Sequence, residues 1–289
     1  KGALYSHRST VLHAYGAALP DSVNLSSRDS VLPVVPMFHV NAWGIPYSAA
    51  MTGAKLVFPG AALDGKSVYE LIEAEGVTLS AGVPTVWLGL LNHVGQNKLK
   101  FSTMTRTVIG GSACPPAMIR SFKLDYGVTV LHGWGMTETN AIGVGIAASD
   151  YLRKPESSGR VSAVLDVRVV DESGKEMPTG QRGELQIRGA SIMRGYYKRP
   201  DANAAEFVNN EWFRTGDVAC IDDEGFVFIV DRIKDLVIRG GENIGCGSVE
   251  YALQEHPAVV EACVYGVPDE RLGEEVATTI YANAPVTEA

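Results

Sequence analysis

From about residue 30 to residue 132, short apolar runs alternate with segments of helical period. Val31–Val35, Lys55–Phe58, Val77–Ala81, Thr107–Ile109 and Val128–Leu131 read as strands. Between them, Val40–Met51, Ser67–Glu75, Pro84–His93 and Pro116–Tyr126 read as helices, with Pro84 at a helix-opening position. Alternation at this spacing predicts parallel βαβ units. Ligands of such sheets gather beyond the carboxyl ends of the strands. The segments after Val35, Ala81, Ile109 and Leu131 are therefore the ones to inspect for chemistry.

After about residue 150 the texture changes. Leu165–Val170, Gly183–Arg188 and Phe226–Val230 are β-rich, and turn signals such as Asp171-Glu172-Ser173-Gly174 and Asp222-Asp223-Glu224-Gly225 separate them. This predicts an antiparallel sheet or small barrel. The charged, glycine-bearing segment Asp231–Glu242 is a candidate boundary. A helix at Ser248–Glu255 and a strand at Val259–Val264 follow it. The expected fold class is α/β, a parallel βαβ sheet layer plus a β-rich subdomain, followed by the start of a small α+β C-terminal domain. Residues 1–231 form the larger portion (1–150 α/β, 151–231 β-rich), and residues 232–289 begin the smaller one.

Composition adds limits. A chain of 289 residues suggests about two domains, and 46% hydrophobic with 20% charged residues excludes disorder and collagen. A net charge of −8 argues against a nucleic-acid partner, yet leaves room for an anionic ligand held by local loops. Cys114, Cys220, Cys246 and Cys263 form no C-x-x-C pair, so neither a zinc site nor a disulfide framework is expected, and reduced thiols in a cytoplasmic protein are the plain reading. Ser30–Ala54 carries no charged residue and is long enough to cross a bilayer, but Pro33, Pro36, Pro46, His39, Asn41 and Gly44 interrupt it. A buried strand followed by a buried helix fits better than a transmembrane segment. Lys1–His7 has no signal-peptide pattern, and neither terminus looks native, so a fragment is expected.

Several loops are candidates for chemistry. Gly110-Gly111-Ser112-Ala113-Cys114-Pro115 follows a strand; it is either a close approach to a ligand or a tight turn before a helix. His132-Gly133-Trp134-Gly135-Met136-Thr137-Glu138-Thr139 offers a flat aromatic, hydroxyls and a carboxylate at a strand's end. A threonine hydroxyl can donate to phosphate and a glutamate can hold Mg²⁺; the plain alternative is a loop with a helix cap at Thr137. Asp217, after Arg214-Thr215-Gly216, could accept both ribose hydroxyls or simply sit in a turn. Asp231–Asn243 could be a hinge or an exposed hairpin. His39 is either a core histidine or a site residue. Gly143-Val144-Gly145-Ile146-Ala147-Ala148 matches a dinucleotide pattern but follows no long buried strand, and is set aside. Arg194–Arg199 reads as a solvated loop.

Together, Gly110–Pro115, Gly133–Thr139, Arg214–Asp217, Asp231–Asp235 and Gly240–Asn243 resemble, in order, the motifs of the adenylate-forming superfamily of acyl-CoA synthetases, luciferases and peptide-synthetase adenylation domains. Within it, Pro36–Gly44 and Ala81–Trp87 look most like bacterial medium- and long-chain fatty acyl-CoA ligases, and are similar also to methylmercaptopropionate-CoA ligases. The resemblance implies ATP, Mg²⁺ and coenzyme A as reactants with a small carboxylic acid. An acyl-adenylate forms first, then a thioester. By resemblance, Thr137, Glu138 and His39 are catalytic. Gly111, Ser112, Ala113, His132, Gly133 and Trp134, with Thr137, Asp217 and Arg232, bind the nucleotide. Glu138 holds the metal, Lys234 is the hinge, Gly240 and Gly241 meet coenzyme A, and His39, Trp43 and Gly135 border the acyl pocket. Of the family's phosphate loop ending Pro-Lys-Gly, Lys1-Gly2 stand here, and the chain stops before the family's catalytic lysine, which implies impaired adenylation by this piece alone. An adenylation domain would place an acidic residue early in the acyl pocket, against the apolar Phe38–Gly44 run. A nucleotide-binding remnant is the non-enzymatic alternative.

Overall fold

The computed structural model describes residues 1–112, 114–145, 153–254, 256, 258–282 and 284. Seven strands form the first sheet: β1 (Ser30–Pro33), β2 (Lys55–Leu56), β3 (Leu79–Gly82), β4 (Arg106–Ile109), β5 (Thr129–Trp134), β6 (Val144–Gly145) and β7 (Arg160–Val161). Their order is β2-β1-β3-β4-β5-β6-β7. The first five run parallel, with Val31 opposite Leu79, Ser80 opposite Thr107 and Ile109 opposite His132. The last two turn back antiparallel. Val31, Leu32, Leu79, Ala81 and Ile109 are fully buried, as expected of strands covered on both faces.

The helices on this sheet are α1 (His7–Ala18), α2 (Val40–Trp43), α3 (Ile45–Thr52), α4 (Gly65–Glu75), α5 (Pro84–Gln96) and α6 (Pro116–Arg120). Asp64 caps α4 by accepting from the Lys66 and Ser67 amides at 3.1 Å. The expected continuous helix over Val40–Met51 does not form. Val40, Asn41, Ala42 and Trp43 have φ of 40, 47, 49 and 56°, a left-handed turn, and Gly44 follows at 73°. Pro46 explains the break, because its ring would clash with the carbonyl of residue 42 in a right-handed helix. The helix expected over Pro116–Tyr126 also changes character, passing from α6 into a π-helical turn at Ser121–Asp125. α1 is an element that sequence periodicity did not predict.

A second sheet comprises β8 (Leu165–Val170), β9 (Gly183–Gly189), β10 (Phe207–Val208), β11 (Trp212–Ile221) and β12 (Val227–Arg232), in the order β10-β11-β9-β8 with β12 on β11. α7 (Pro200–Glu206) leads into β10. A third, antiparallel sheet runs β14-β13-β16-β15, from β13 (Val237–Arg239), β14 (Glu242–Ile244), β15 (Val259–Asp269) and β16 (Gly273–Ala282). α8 (Cys246–Gln254) packs on it through a small core of Val237, Cys246 and Val264. The hairpin reading of Asp231–Asn243 is thus realised in β13 and β14, turned by Gly240 and Gly241 at φ 58 and 90°.

By contact the chain divides into two compact units: Lys1–Val167 with Ile187–Phe213 and Glu224–Val227, and Arg168–Gln186 with Arg214–Asp223 and Phe228–Ala289. Among the described residues no helix is long and apolar enough to cross a membrane.

Candidate functional site

The parallel strands aim their carboxyl ends into one open cleft of about 640 Å³ in the first unit. Three of the segments that wall it carry the candidate residues. His39, Val40 and Trp43 come from the turn after β1. Gly110 and Gly111 follow β4. His132 to Met136 come from the end of β5 and the loop beyond it. A second, small and mostly apolar pocket shares Val23, Trp43, Val108 and Ile142 with the cleft and is otherwise lined by Ala17, Leu25, Ile45, Ser48 and Leu79. The Trp43 ring therefore borders both spaces.

Close approach fixes the geometry. A methyl group at Gly135 would lie 1.4 Å from the Ala141 carbonyl oxygen, so no other residue fits there. On the opposite wall, a methyl group at Gly44 would lie 2.7 Å from the His13 ring. His13 is buried on α1, and its Nε2 accepts a hydrogen bond from the Ile142 amide at 3.1 Å. Burial lowers its pKa to about 4, so the ring is neutral near pH 7. One imidazole thus packs against the left-handed turn and bonds to the loop that carries Ile142. Val40 in the left-handed region is strained, because its β-branched side chain crowds the following carbonyl.

His132 is buried, with Nδ1 3.4 Å from the Ser157 carbonyl oxygen. Burial pushes its pKa down, against hydrogen bonds with Ser157 and Ser112 that raise it. Beyond Met136 the chain makes a 3-10 turn, Thr137–Thr139. It is opened by Met136, not capped at Thr137: the Thr139 hydroxyl accepts from the Met136 amide at 3.0 Å and donates to carbonyls of the same loop. The Thr137 hydroxyl is left exposed at the head of the turn. Glu138 is half-buried. Its Oε1 accepts from the Tyr196 hydroxyl at 2.7 Å, and its carbonyl accepts from the Met193 amide at 2.8 Å. The Tyr5 hydroxyl donates to the Thr137 carbonyl. Burial first, then the Glu138 charge, raises the Tyr5 pKa to about 12. These groups form an oxygen-rich corner that suits a hard divalent cation.

The structure brings His39, Trp43, Gly111, His132, Gly133 and Trp134 together, with Gly135, in one cleft. His39 is exposed at its lip, so the core-histidine reading fails. Ser112 is exposed beside Gly111, and Ala113 lies outside the described residues. Burial lifts the neighbouring Cys114 thiol to about 12, which makes it a poor nucleophile. In the second unit, Asp217 is not a turn residue: it sits buried in β11, with Arg232 Nε 3.4 Å from its carboxylate. Lys234 falls in the 3-10 turn Ile233–Asp235, and it, Gly240 and Gly241 are exposed. The dinucleotide-like Gly143–Gly145 enters the short antiparallel β6, and residues 146–148 lie outside the described residues.

Three contributors escaped sequence reading: Tyr5, His13 and Tyr196. The reading of Arg194–Arg199 as a solvated loop is corrected in part. Tyr197, Lys198 and Arg199 are exposed, but Tyr196 is buried with Ile192 and Met193, because three apolar side chains at 192, 193 and 196 face one core with Phe213 and Leu165. The run of apolar residues just before Arg194 was the available signal. Nothing in the sequence marks His13.

The family model described as AMP-binding enzyme matches residues 1–197, and the one described as AMP-binding enzyme C-terminal domain matches residues 248–287. A medium-chain-fatty-acid–CoA ligase of Ectopseudomonas oleovorans is 46% identical over 285 residues, covering 95% of this chain and 52% of the relative. A 3-methylmercaptopropionyl-CoA ligase of Ruegeria lacuscaerulensis is 42% identical over 285 residues, with the same coverages of 95% and 52%. Among solved structures, o-succinylbenzoate CoA synthetase from Bacillus subtilis in complex with its acyl-adenylate intermediate superposes with a TM-score of 0.89 at 27% identity, covering 99% of this chain and 57% of that one. The chain spans about half the length of the curated relatives it matches.

Proposed function

The chain belongs to the AMP-binding enzyme family, and on that premise we propose that it carries the adenylating centre of an ATP-dependent carboxylic acid–CoA ligase. One observation supports this above the others. A single cleft at the carboxyl ends of parallel strands joins an apolar wall, His39 to Trp43, to a glycine and aromatic bed, Gly110–Gly111 and His132–Trp134. An acid with an apolar tail and a nucleotide can meet there. A fatty acid suits the apolar wall and matches the name of the relative at 46% identity. 3-Methylmercaptopropionate, from the name of the relative at 42%, is the acid to test beside it.

In the first half-reaction a carboxylate oxygen attacks the α-phosphorus of ATP, and the bond to pyrophosphate breaks. In the second, the thiol of coenzyme A loses its proton and attacks the acyl carbonyl, and AMP leaves. Most of the rate in such chemistry comes from positioning and from neutralising phosphate charge. Gly111, Ser112, Gly133 and Trp134 bed the base, and neutral His132 flanks it without adding charge. Thr137 donates its exposed hydroxyl to phosphate. Glu138 would hold Mg²⁺, which would supply charge neutralisation to the phosphates when bound. Asp217 accepts from ribose hydroxyls, and Arg232 contacts the nucleotide. His39 and Trp43, with Gly135, border the acyl chain. Lys234 is assigned to the hinge of a small domain beginning near residue 232, and Gly240-Gly241 to coenzyme A. The cytoplasmic setting is proposed from the sequence, whose four cysteines form no C-x-x-C pair.

The test is acid-dependent exchange of labelled pyrophosphate into ATP, run beside AMP binding by calorimetry. Exchange with octanoate supports the ligase. AMP binding without exchange by any acid reduces the chain to a nucleotide-binding piece, and failure to bind AMP overturns the reading.

A further inference from the structure

Glu138 stands apart from the other polar groups of the loop in how firmly it is held. Tyr196 reaches it from a sequence distance of 58 residues, donating to Oε1 at 2.7 Å. Tyr196 is itself fixed at three points. Its ring is buried in the core that contains Met193 and Phe213. Its amide donates to Asn203 Oδ1 at 2.7 Å, and its carbonyl accepts from Asn203 Nδ2 at 3.2 Å, so one side-chain amide clasps both backbone groups. The strand-like pairing of Ala3 with Tyr196 binds the same residue to the chain's first segment. The peptide around Glu138 is pinned as well, by the Met193 amide on its carbonyl and by the Tyr5 hydroxyl on the Thr137 carbonyl. A hydroxyl is the one group of Tyr196 that the core does not need. Its buried position makes sense if it is there to meet an acceptor.

A carboxylate that ligates a metal works best when one oxygen is held by a donor and the other is left to face the cation, since the rotamer is then set before the metal arrives. We infer that Tyr196 is a positioning residue: it fixes the Glu138 carboxylate in the orientation that binds the divalent cation of the nucleotide complex. Tyr5 fixes the peptide beneath it. This rests on the nucleotide reading above. It adds two residues to that site that no motif of the sequence pointed to.

The experiment titrates Mn²⁺ into the 289-residue chain with ATP, read by electron paramagnetic resonance, and measures metal-free AMP binding and thermal unfolding in parallel. Tyr196→Phe keeps the ring and removes the hydroxyl. It should weaken Mn²⁺ about 10-fold or more while AMP affinity stays within about twofold of the parent, the size expected when a hydrogen-bond partner of a metal ligand is lost. Glu138→Gln should abolish the protein-bound Mn²⁺, and Tyr5→Phe should give a smaller loss of the same kind. Mn²⁺ affinity unchanged in Tyr196→Phe overturns the positioning role and leaves the nucleotide reading standing. Parallel losses of AMP affinity and melting temperature show a structural role only and overturn it too. A parent chain that binds neither AMP nor Mn²⁺ with ATP overturns the reading beneath it, and the inference with it.

Discussion

His13 should make this protein acid-sensitive in a way that a single substitution removes. The folded state keeps its imidazole neutral down to a pKa of about 4, whereas an unfolded chain titrates it near 6.5. A folded pKa lowered below the unfolded one means that the unfolded state takes up the proton first. Stability is therefore intact above about pH 6.5 and falls with pH until about pH 4, where the folded state begins to protonate too. Each pH unit inside that window is worth at most about 1.4 kcal/mol, which integrates to about 2 kcal/mol lost between pH 7 and pH 5 and about 3 kcal/mol by pH 4. His13→Gln should remove this loss, because the side-chain oxygen of glutamine can accept from the Ile142 amide that His13 Nε2 now serves, and it does not titrate. At pH 7 the substitution should cost about 1 kcal/mol, the worth of a hydrogen bond remade imperfectly. The assay is urea unfolding of both proteins at pH 7, 6 and 5. His132, whose pKa burial also lowers, and the carboxylates contribute a slope common to both proteins, so the comparison rests on the difference. If the two stabilities fall in parallel with pH, His13 is not held neutral by burial, and the account of the wall it supports is wrong.

Two other substitutions test the cleft, and a third tests the ribose assignment. Gly135→Ala would drive a methyl group into the Ala141 carbonyl oxygen and should cost about 3 kcal/mol or more, read by urea unfolding. Trp43→Ala should join the cleft to the mostly apolar pocket behind it, shift the preference among bound acids toward longer chains, and show as a changed chain-length profile in calorimetry with a fatty-acid series. Asp217→Asn should weaken AMP about tenfold, the worth of a hydrogen bond to a charged group, while leaving 2′,3′-dideoxy-AMP unaffected. Equal loss for both nucleotides would remove Asp217 from the ribose.

The parallel part of the fold was legible because its strands are buried on both faces and read as unbroken apolar runs between helical patterns. α1 was not legible because its buried face is made of small and polar residues. It buries the small or polar Ser9, His13, Ala14, Gly16 and Ala17 and exposes the larger Val11 and Tyr15, so these large side chains point away from the core. Its true marker was local, the reciprocal capping of Ser6 and Ser9. The break at Gly44 was present in the sequence as Pro46, but a run of apolar residues outweighed it. In the candidate site, the loops after β4 and β5 could be found because glycines and chemistry cluster in sequence there. Tyr5 and Tyr196 could not, because they lie 132 and 58 positions away along the chain from residues 137 and 138, which they meet only in the folded state.

The two walls of the cleft are built by different means, and this bears on how its functions separate. On the acyl side the chain stores strain: four non-glycine residues in a left-handed turn, packed at Gly44 against the ring of a neutral histidine. Strain of this kind persists only where the surroundings over-determine the backbone. Loosening His13 should therefore act first on the position of Trp43. On the phosphate side the loop also turns left-handed, at Asn140 and Ala141 with φ of 62 and 89°, but Glu138 and the peptide before it are fixed by hydrogen bonds from Tyr5, Met193 and Tyr196. These bonds hold a carboxylate and a peptide in place and leave the apolar wall untouched. A perturbation at His13 should move the affinity for acids more than that for Mn²⁺, and one at Tyr196 should do the reverse. If both affinities moved together in each variant, the walls would be a single mechanical body, and the separate roles assigned to them would not hold.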